Sequence, residues 1–177
     1  MMDIIKISEN FAKKEYEKHD ENHQWEHVEE VINLALELAK SYPKVDLEIL
    51  KLAVIFHDIS YRKYETHVEE SIKAAEKFLR EHDYPEEKIK KVLNVMISHS
   101  GPHRRKFGEA KTIEGKIIYD SDKFRLAKTK EGFEKYYDKL YLDETRDLLK
   151  KSCPEFFDKF NRISNNKAAN SYKNSID

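Results

Sequence analysis

Two polar residues close a strongly apolar segment of the chain. His57 and Asp58 follow the apolar run of AVIFHDIS, residues 53–60. A carboxylate removed from water without a partner costs on the order of several kcal/mol, or its pKa shifts until it is neutral. In the simplest alternative, Asp58 caps a turn and His57 donates to a carbonyl. Otherwise the pair needs a partner from elsewhere in the chain.

Three further histidines lie on or near apolar helical faces. His27 precedes Val31 by one turn of a predicted helix, so its ring points along the apolar stripe. His67 falls in the first turn of another predicted helix, and His99 falls at the end of a third. Each has an ordinary alternative as a satisfied core residue or a helix-end histidine.

Two acids interrupt the apolar turn of GKIIYDSDKF, residues 115–124. Asp122 shares a stripe with Ile118, and Asp120 shares one with Ile117. Either could be an inward carboxylate, and spacing alone does not choose between them. The alternative is that one faces solvent and the other pairs with a lysine.

A divalent metal would explain these polar residues together. Imidazole and carboxylate ligands suit Mn, Fe, Co, Ni or Zn, with Mg possible, and the ion offsets the cost of burying the carboxylates. The absence of thiolates disfavours a structural zinc site, and open positions in a mixed ligand set favour catalysis. The candidate ligands are His27, His57, Asp58, His67, His99 and Asp122.

The elements that position these residues are predicted to be helices. Glycine and proline number only four each, and the apolar residues recur at helical spacing, which predicts an all-α domain. The first predicted helix spans 22–41, and a buried central helix begins at an Asp46 cap and runs to the His57–Asp58 dyad. A third helix begins at a Thr66–Glu69 capping box, and a fourth runs from Pro85 to His99. Two more are predicted over 113–128 and 143–160. Residues 100–112 are predicted to be a loop.

Composition narrows the class of protein. The 177 residues suit one domain, predicted over 1–163, with a disordered tail over 164–177. A net charge of −1 argues against duplex nucleic acid and an anionic membrane as partners. The single Cys153 excludes an internal disulfide, and the N-terminus lacks a signal-peptide pattern, so we expect a cytoplasmic protein. No apolar run approaches the roughly 18 residues that span a bilayer.

The motifs resemble the HD-domain superfamily of metal-dependent phosphohydrolases. The matching segments, within about residues 20–128, are WEHVEEV with His27, AVIFHDIS with His57 and Asp58, and EGKIIYDSDKF with Asp122. The resemblance implies a single helical bundle with a metal site between helices, and SDKF favours Asp122 as the last ligand, with Asp120 as the alternate. His67 and His99 resemble the extra histidines of members that hold two metals.

The same resemblance implies an activity. A metal-bound water would attack a small phosphorylated substrate, with a nucleotide as the leading candidate, and one or two ions would be held. Asp58, which could orient the water, and Lys63 are the candidate catalytic residues. The candidate phosphate contacts are Arg62, Lys63, His103, Arg104 and Arg105, although the last three could belong to a solvated loop.

Departures from the family pattern keep two alternatives open. Ser121 and Arg125 replace an alanine and an acid that a bacterial and archaeal subgroup carries in this segment. A non-catalytic nucleotide- or metal-binding regulatory module would fit this change. A diiron oxygenase on the same fold is the third alternative, and the sequence leaves the oligomeric state undefined.

Overall fold

The computed structural model of the protein describes residues 3–19, 24–61 and 66–159. Within these ranges every regular element is helical, which confirms the predicted all-α class. The helices are α1 (Ile4–Tyr16), α2 (Trp25–Ala39), α3 (Leu47–Phe56), α4 (His67–Glu81), α5 (Glu86–Ile97), α6 (Gly101–Phe107), α7 (Ile113–Ala127), α8 (Lys130–Tyr136), a 3-10 turn (Tyr137–Lys139) and α9 (Asp143–Ser152). The described residues form two compact units, divided after Asp122. The predicted tail, 164–177, lies outside the described residues.

Helix α3 is the centre of the first unit, as its sequence predicted. It contacts α1, α2, α4 and α5, and all but its first two residues and Lys51 are buried. The Asp46 side chain caps it by accepting from the backbone N–H groups of Glu48 and Ile49, both at 3.2 Å. The helix that leads to the dyad is therefore enclosed by packed apolar side chains.

Helix α1 was not among the predicted elements. Asp3 caps it by accepting from the N–H groups of Ile5 and Lys6, and its buried positions are Ser8, Ala12 and Tyr16. A capping residue followed by small or apolar residues at every fourth position indicates a helix. That signal was present in the sequence, but Ser8 makes the stripe less apolar than those of the other helices.

The loop predicted over residues 100–112 contains a short helix, α6. Pro102 lies in its first turn, and Gly108 follows its last residue with φ 89°. Proline at the start and a positive-φ glycine after the end are helix boundary signals, because proline has no N–H to lose and glycine has no Cβ to clash. The prediction treated the same two residues as loop formers.

Helix α4 begins where it was predicted to begin, but the predicted capping box is wrong. Thr66 precedes the helix with φ −116° and ψ −11°, and its side chain makes no capping hydrogen bond. An N-cap side chain reaches the exposed N–H groups from an extended backbone, which Thr66 does not have. Helix α5 starts one residue after Pro85 and ends at Ile97, two residues before His99.

Residues 123–159 of the second unit form their own apolar cluster. It contains Ala127, Phe133, Tyr137, Leu140, Leu149 and Cys153, with Phe124, Tyr136, Phe156 and Phe157 packed against it. The helix predicted over 143–160 is interrupted at Cys153, which has φ −139° and ψ 62°, and helix resumes over 154–159. Proline at 154 explains the break, because its ring disfavours helical geometry in the preceding residue.

Among the described helices, none has the length and apolar character that a membrane crossing requires.

Candidate metal centre

His27, His57 and Asp122 form one group of potential metal ligands. The Oδ1 atom of Asp122 lies 3.2 Å from His27 Nε2 and 3.8 Å from His57 Nε2. All three side chains are buried, and one ligand atom from each lies within 4.8 Å of the others. Helix α2 supplies His27 from its first turn, and α7 supplies Asp122.

Asp58, His67 and His99 form a second group. The Oδ1 atom of Asp58 lies 3.3 Å from His99 Nε2 and 3.5 Å from His67 Nε2. These side chains are also buried, and their ligand atoms meet the same 4.8 Å spacing. His67 is the first residue of α4, and His99 follows the end of α5. The two histidines predicted for a second metal thus lie together with Asp58.

The two groups adjoin at the His57–Asp58 pair. The second carboxylate oxygen of Asp58, Oδ2, lies 3.5 Å from His57 Nε2. Asp58 therefore presents Oδ1 to His67 and His99, and Oδ2 to His57. The sequence predicted His27, His57, Asp58 and Asp122 around one ion. In the structure His27, His57 and Asp122 form one group, and Asp58, which belongs to the other, adjoins it through Oδ2.

Backbone carbonyls fix the ring orientation of two of these histidines. His57 Nδ1 lies 2.7 Å from the Val54 carbonyl oxygen, and His99 Nδ1 lies 2.5 Å from that of Met96. A carbonyl can only accept, so each Nδ1 carries the hydrogen, and Nε2 of the neutral ring keeps its lone pair. This is how histidines that bind metals through Nε2 are commonly oriented.

Several buried polar atoms in the centre have no hydrogen-bond partner among the described residues. They are His57 Nε2, His99 Nε2, Asp58 Oδ1 and His27 Nδ1. Buried polar atoms are normally hydrogen-bonded, and two lone pairs that face each other need a cation between them. His99 Nε2 and Asp58 Oδ1 face each other at 3.3 Å. The residues therefore fit divalent metal ions, for which an all-nitrogen-and-oxygen donor set is suitable.

The pKa values of His57 and Asp58 indicate which charge balances the buried carboxylates when no metal is bound. Burial acts to lower the pKa of His57, but the Asp58 and Asp122 carboxylates outweigh it and raise the pKa to about 9. Burial acts to raise the pKa of Asp58, but His57 and His99 outweigh it and hold that pKa well below its usual range. Asp58 stays ionised, and in the absence of metal a proton on His57 supplies the compensating charge.

Asp120, the alternate acid, belongs to neither group in the described part of the chain. It is fully buried, like its neighbours on α7. Residues two apart on a helix are rotated by about 200° around the helix axis, so Asp120 and Asp122 point to nearly opposite sides of α7.

Gly115 lets α7 approach the end of α5, because a Cβ there would lie 2.7 Å from Ser98 Oγ, next to His99.

The predicted phosphate contacts are only partly described. Arg62 and Lys63, including the catalytic candidate Lys63, lie outside the described residues, as does the side chain of His103. Arg104 pairs with Glu109 at 2.7 Å and stacks over the Tyr119 ring, 5.1 Å from its centroid. Arg105 is exposed. These contacts remain predictions.

Tyr16 is a residue near the centre that the sequence reasoning missed. Its hydroxyl donates to the Ile55 carbonyl at 3.2 Å and accepts from the Asp58 N–H at 3.3 Å. Burial, reinforced by Asp58, raises the pKa of Tyr16 well above its ordinary value, so the hydroxyl keeps its proton. The only available signal was its place on the periodic face of α1.

Fold and centre together define a class: an α-helical protein with adjoining buried histidine–aspartate groups suited to divalent metals. The HD domain family model matches residues 25–127, more than half of the chain. The chain belongs to the HD domain family. No curated protein matches the sequence.

Solved structures share the fold. The Lin1889 protein from Listeria innocua is 22% identical with a TM-score of 0.63, and the match covers 91% of this chain and 93% of that one. A predicted HD superfamily hydrolase from an uncultured Thermotogales bacterium is 20% identical with a TM-score of 0.64, covering 92% and 91%. Bacillus subtilis YpgQ, in complex with ADP, is 16% identical with a TM-score of 0.60, covering 92% and 94%.

Proposed function

We propose that the protein is a metal-dependent phosphohydrolase that acts on a small phosphorylated compound. The observation that carries the proposal is the convergence of six buried histidine and aspartate side chains in two groups of potential metal ligands. In the described residues, one buried polar atom each of His27, His57, Asp58 and His99 has no hydrogen-bond partner. A structural role would leave such atoms satisfied by protein groups. Membership of the HD domain family supports the same conclusion.

Two divalent ions fit the arrangement. One would be held by His27, His57 and Asp122, and the other by Asp58, His67 and His99. When bound, such ions lower the pKa of a coordinated water and neutralise charge on a phosphoryl oxygen. Each group supplies only three protein ligands, which leaves room for water and substrate.

The protein side chains have distinct tasks in this proposal. The Val54 and Met96 carbonyls hold the His57 and His99 rings with Nε2 toward the centre. Asp58 remains a carboxylate and can accept a hydrogen bond from the attacking water, since its pKa is held low. Arg105, which is exposed, and Lys63 are the proposed sources of positive charge for the phosphate.

A nucleotide is the proposed substrate. YpgQ, which shares the fold, was crystallised with ADP, and this is the support for a nucleotide here. The net charge of −1 provides no general attraction for anions, so the phosphate must be bound by the metals and by local cations. Mn, Fe, Co, Ni and Zn are the proposed metals, with Mg as a further candidate.

The test is phosphate or pyrophosphate release from a nucleotide panel with each metal. The chains to compare are wild type, His57→Ala, Asp58→Ala and His82→Ala. His82 is the matched control, because it is a half-buried histidine at the end of α4 whose Nδ1 contacts the Phe78 carbonyl at 2.8 Å and which belongs to neither group. We expect turnover by wild type and His82→Ala, and loss in the other two.

Equal activity in all four chains would contradict the proposal. Tight nucleotide binding by wild type without product would replace it with a regulatory binding module. Oxygen consumption by an iron-loaded, coloured protein would replace it with an oxygenase.

A further inference from the structure

We propose that Tyr16 is a positioning residue that holds the backbone of the dyad so that Asp58 can serve both ligand groups. This inference rests on the proposed metal-dependent function. Tyr16 belongs to α1, which precedes the matched region, residues 25–127. The helix therefore adds a positioning element from outside the HD domain match.

One hydroxyl group fixes two points of the backbone at the end of α3. The Tyr16 O–H donates to the Ile55 carbonyl at 3.2 Å, and its oxygen accepts from the Asp58 N–H at 3.3 Å. Tyr16 is fully buried, so water does not compete for these bonds. The two bonds connect the last turn of the helix to Asp58, two residues beyond its end.

The end of a helix needs such partners. The last carbonyls of an α-helix have no N–H of their own helix to accept from. At the end of α3, the Val54 carbonyl accepts from His57 Nδ1, and the Phe56 carbonyl accepts from the Ile59 N–H at 3.3 Å. The Ile55 carbonyl accepts from the Tyr16 hydroxyl. Tyr16 thus supplies the partner of the Ile55 carbonyl, and through the Asp58 N–H it also holds the backbone where the chain leaves the helix.

A small movement of Asp58 changes its distances to histidines of both groups. Its Oδ1 lies 3.3 Å from His99 Nε2, and its Oδ2 lies 3.5 Å from His57 Nε2. A backbone shift at this residue therefore disturbs both groups at once. Outer residues that orient ligands typically change metal affinity by about 10- to 100-fold when they are removed.

The tyrosine ring also contacts the start of α2. Its centroid lies 6.2 Å from that of Trp25, two residues before His27. Phenylalanine at position 16 would keep this packing and lose only the hydroxyl. The substitution therefore separates positioning of the dyad from packing of the helices.

The experiment compares wild type, Tyr16→Phe and Tyr84→Phe. Tyr84 is the matched control, because its hydroxyl also donates a hydrogen bond, to Glu48 Oε1 at 2.6 Å. Tyr84 and Glu48 belong to neither group of potential metal ligands. We expect Tyr16→Phe to lower the affinity for Mn or Co by about 10- to 100-fold, and Tyr84→Phe to leave it within about twofold. The visible spectrum of the cobalt-loaded protein should change in Tyr16→Phe only. Amide exchange at Asp58 should become about tenfold faster in Tyr16→Phe without global unfolding.

Each outcome is decisive for one of the two proposals. Wild-type metal affinity and wild-type exchange at Asp58 in Tyr16→Phe would overturn the positioning role, as would a Tyr16→Phe chain that failed to fold. If wild type binds metal without hydrolysing any substrate, and Tyr16→Phe still weakens that binding, the positioning role stands and the hydrolase proposal fails. If wild type binds no metal, the hydrolase proposal fails, and the Asp58 amide alone decides the role of Tyr16.

Discussion

At the scale of single residues, the centre is a set of lone pairs that a proton or a metal ion can satisfy. His57 has its Nδ1 against the Val54 carbonyl, and its Nε2 faces the carboxylates of Asp58 and Asp122. Those carboxylates raise the pKa of His57 to about 9 against the opposing effect of burial. Proton and metal therefore compete for the same nitrogen.

This competition predicts the pH dependence of metal binding. Near pH 7.5 the metal-free protein holds a proton on His57 that metal must displace, so binding should release about one proton from this residue. Apparent affinity should rise with pH by up to about tenfold per unit until about pH 9. Calorimetry in buffers of different ionisation enthalpy measures the proton count, and a count of zero would contradict the interpretation.

The same shift gives the stability of the metal-free protein a defined sign. The folded pKa of His57 lies above its ordinary value of 6.5. The stabilising contribution of His57 to the free energy of unfolding is therefore fully present below about pH 6.5 and is lost as the pH rises through about 9.

The two neighbouring acids of α7 predict a contrast. Asp122→Asn removes an anionic ligand from the group of His27 and His57, and should abolish turnover and weaken metal binding at least about tenfold. Asp120→Asn changes an equally buried acid that points about 200° away, and should keep metal binding. Metal titration of both variants checks this. Loss of metal in Asp120→Asn alone would make Asp120 the ligand.

At the scale of elements, α3 determines where the dyad lies. It is packed on several sides by helices of the first unit and is capped at its start by Asp46. Its last turn is closed by His57, Ile59 and Tyr16 rather than by a further helical turn. A rigid helix with a fixed end is suited to hold ligands in place.

Capping predicts a difference between two helix starts. Asp46→Ala removes a capping acceptor used by two N–H groups and should cost about 1 kcal/mol of unfolding free energy. Thr66→Ala removes a hydroxyl that has no hydrogen-bond partner in the described ranges, so it should cost less than about 0.5 kcal/mol. Denaturant unfolding of both variants measures this, and equal losses would show that Thr66 caps α4.

The sequence predicted the long helices and the positions of most chemistry-bearing residues. Periodicity was sufficient for α2 to α5 because their stripes are strongly apolar, and Asp46 gave a clear start. It failed for α1, whose buried face includes Ser8, and for α6, whose Pro102 and Gly108 are boundary signals of a very short helix. The division of the ligands into two groups depends on the distances between side chains of different helices, which no linear spacing contains.

At the scale of the whole molecule, one compact unit contains all six candidate ligands. They come from α2, the end of α3, α4, the segment after α5, and α7, all within residues 1–122. Ions bound there would join helices that are distant in sequence. Metal binding should therefore stabilise the folded protein.

Metal removal tests this coupling. At a free metal concentration about 100 times Kd, binding to one site adds about 2.7 kcal/mol, which corresponds to a rise in Tm of about 5–10 °C for a chain of this length. Thermal unfolding with a chelator and with Mn or Co measures the difference. His57→Ala should show a smaller rise, whereas His82→Ala should respond like wild type. Equal Tm values with chelator and metal would contradict the coupling.

A crystal structure of the Mn-loaded protein, with anomalous difference maps, would show directly whether the two groups of side chains hold metal ions. We expect two peaks, one within bonding distance of His27, His57 and Asp122, and one within bonding distance of Asp58, His67 and His99. A protein loaded to saturation that showed no peak at either group, or peaks only elsewhere, would contradict it.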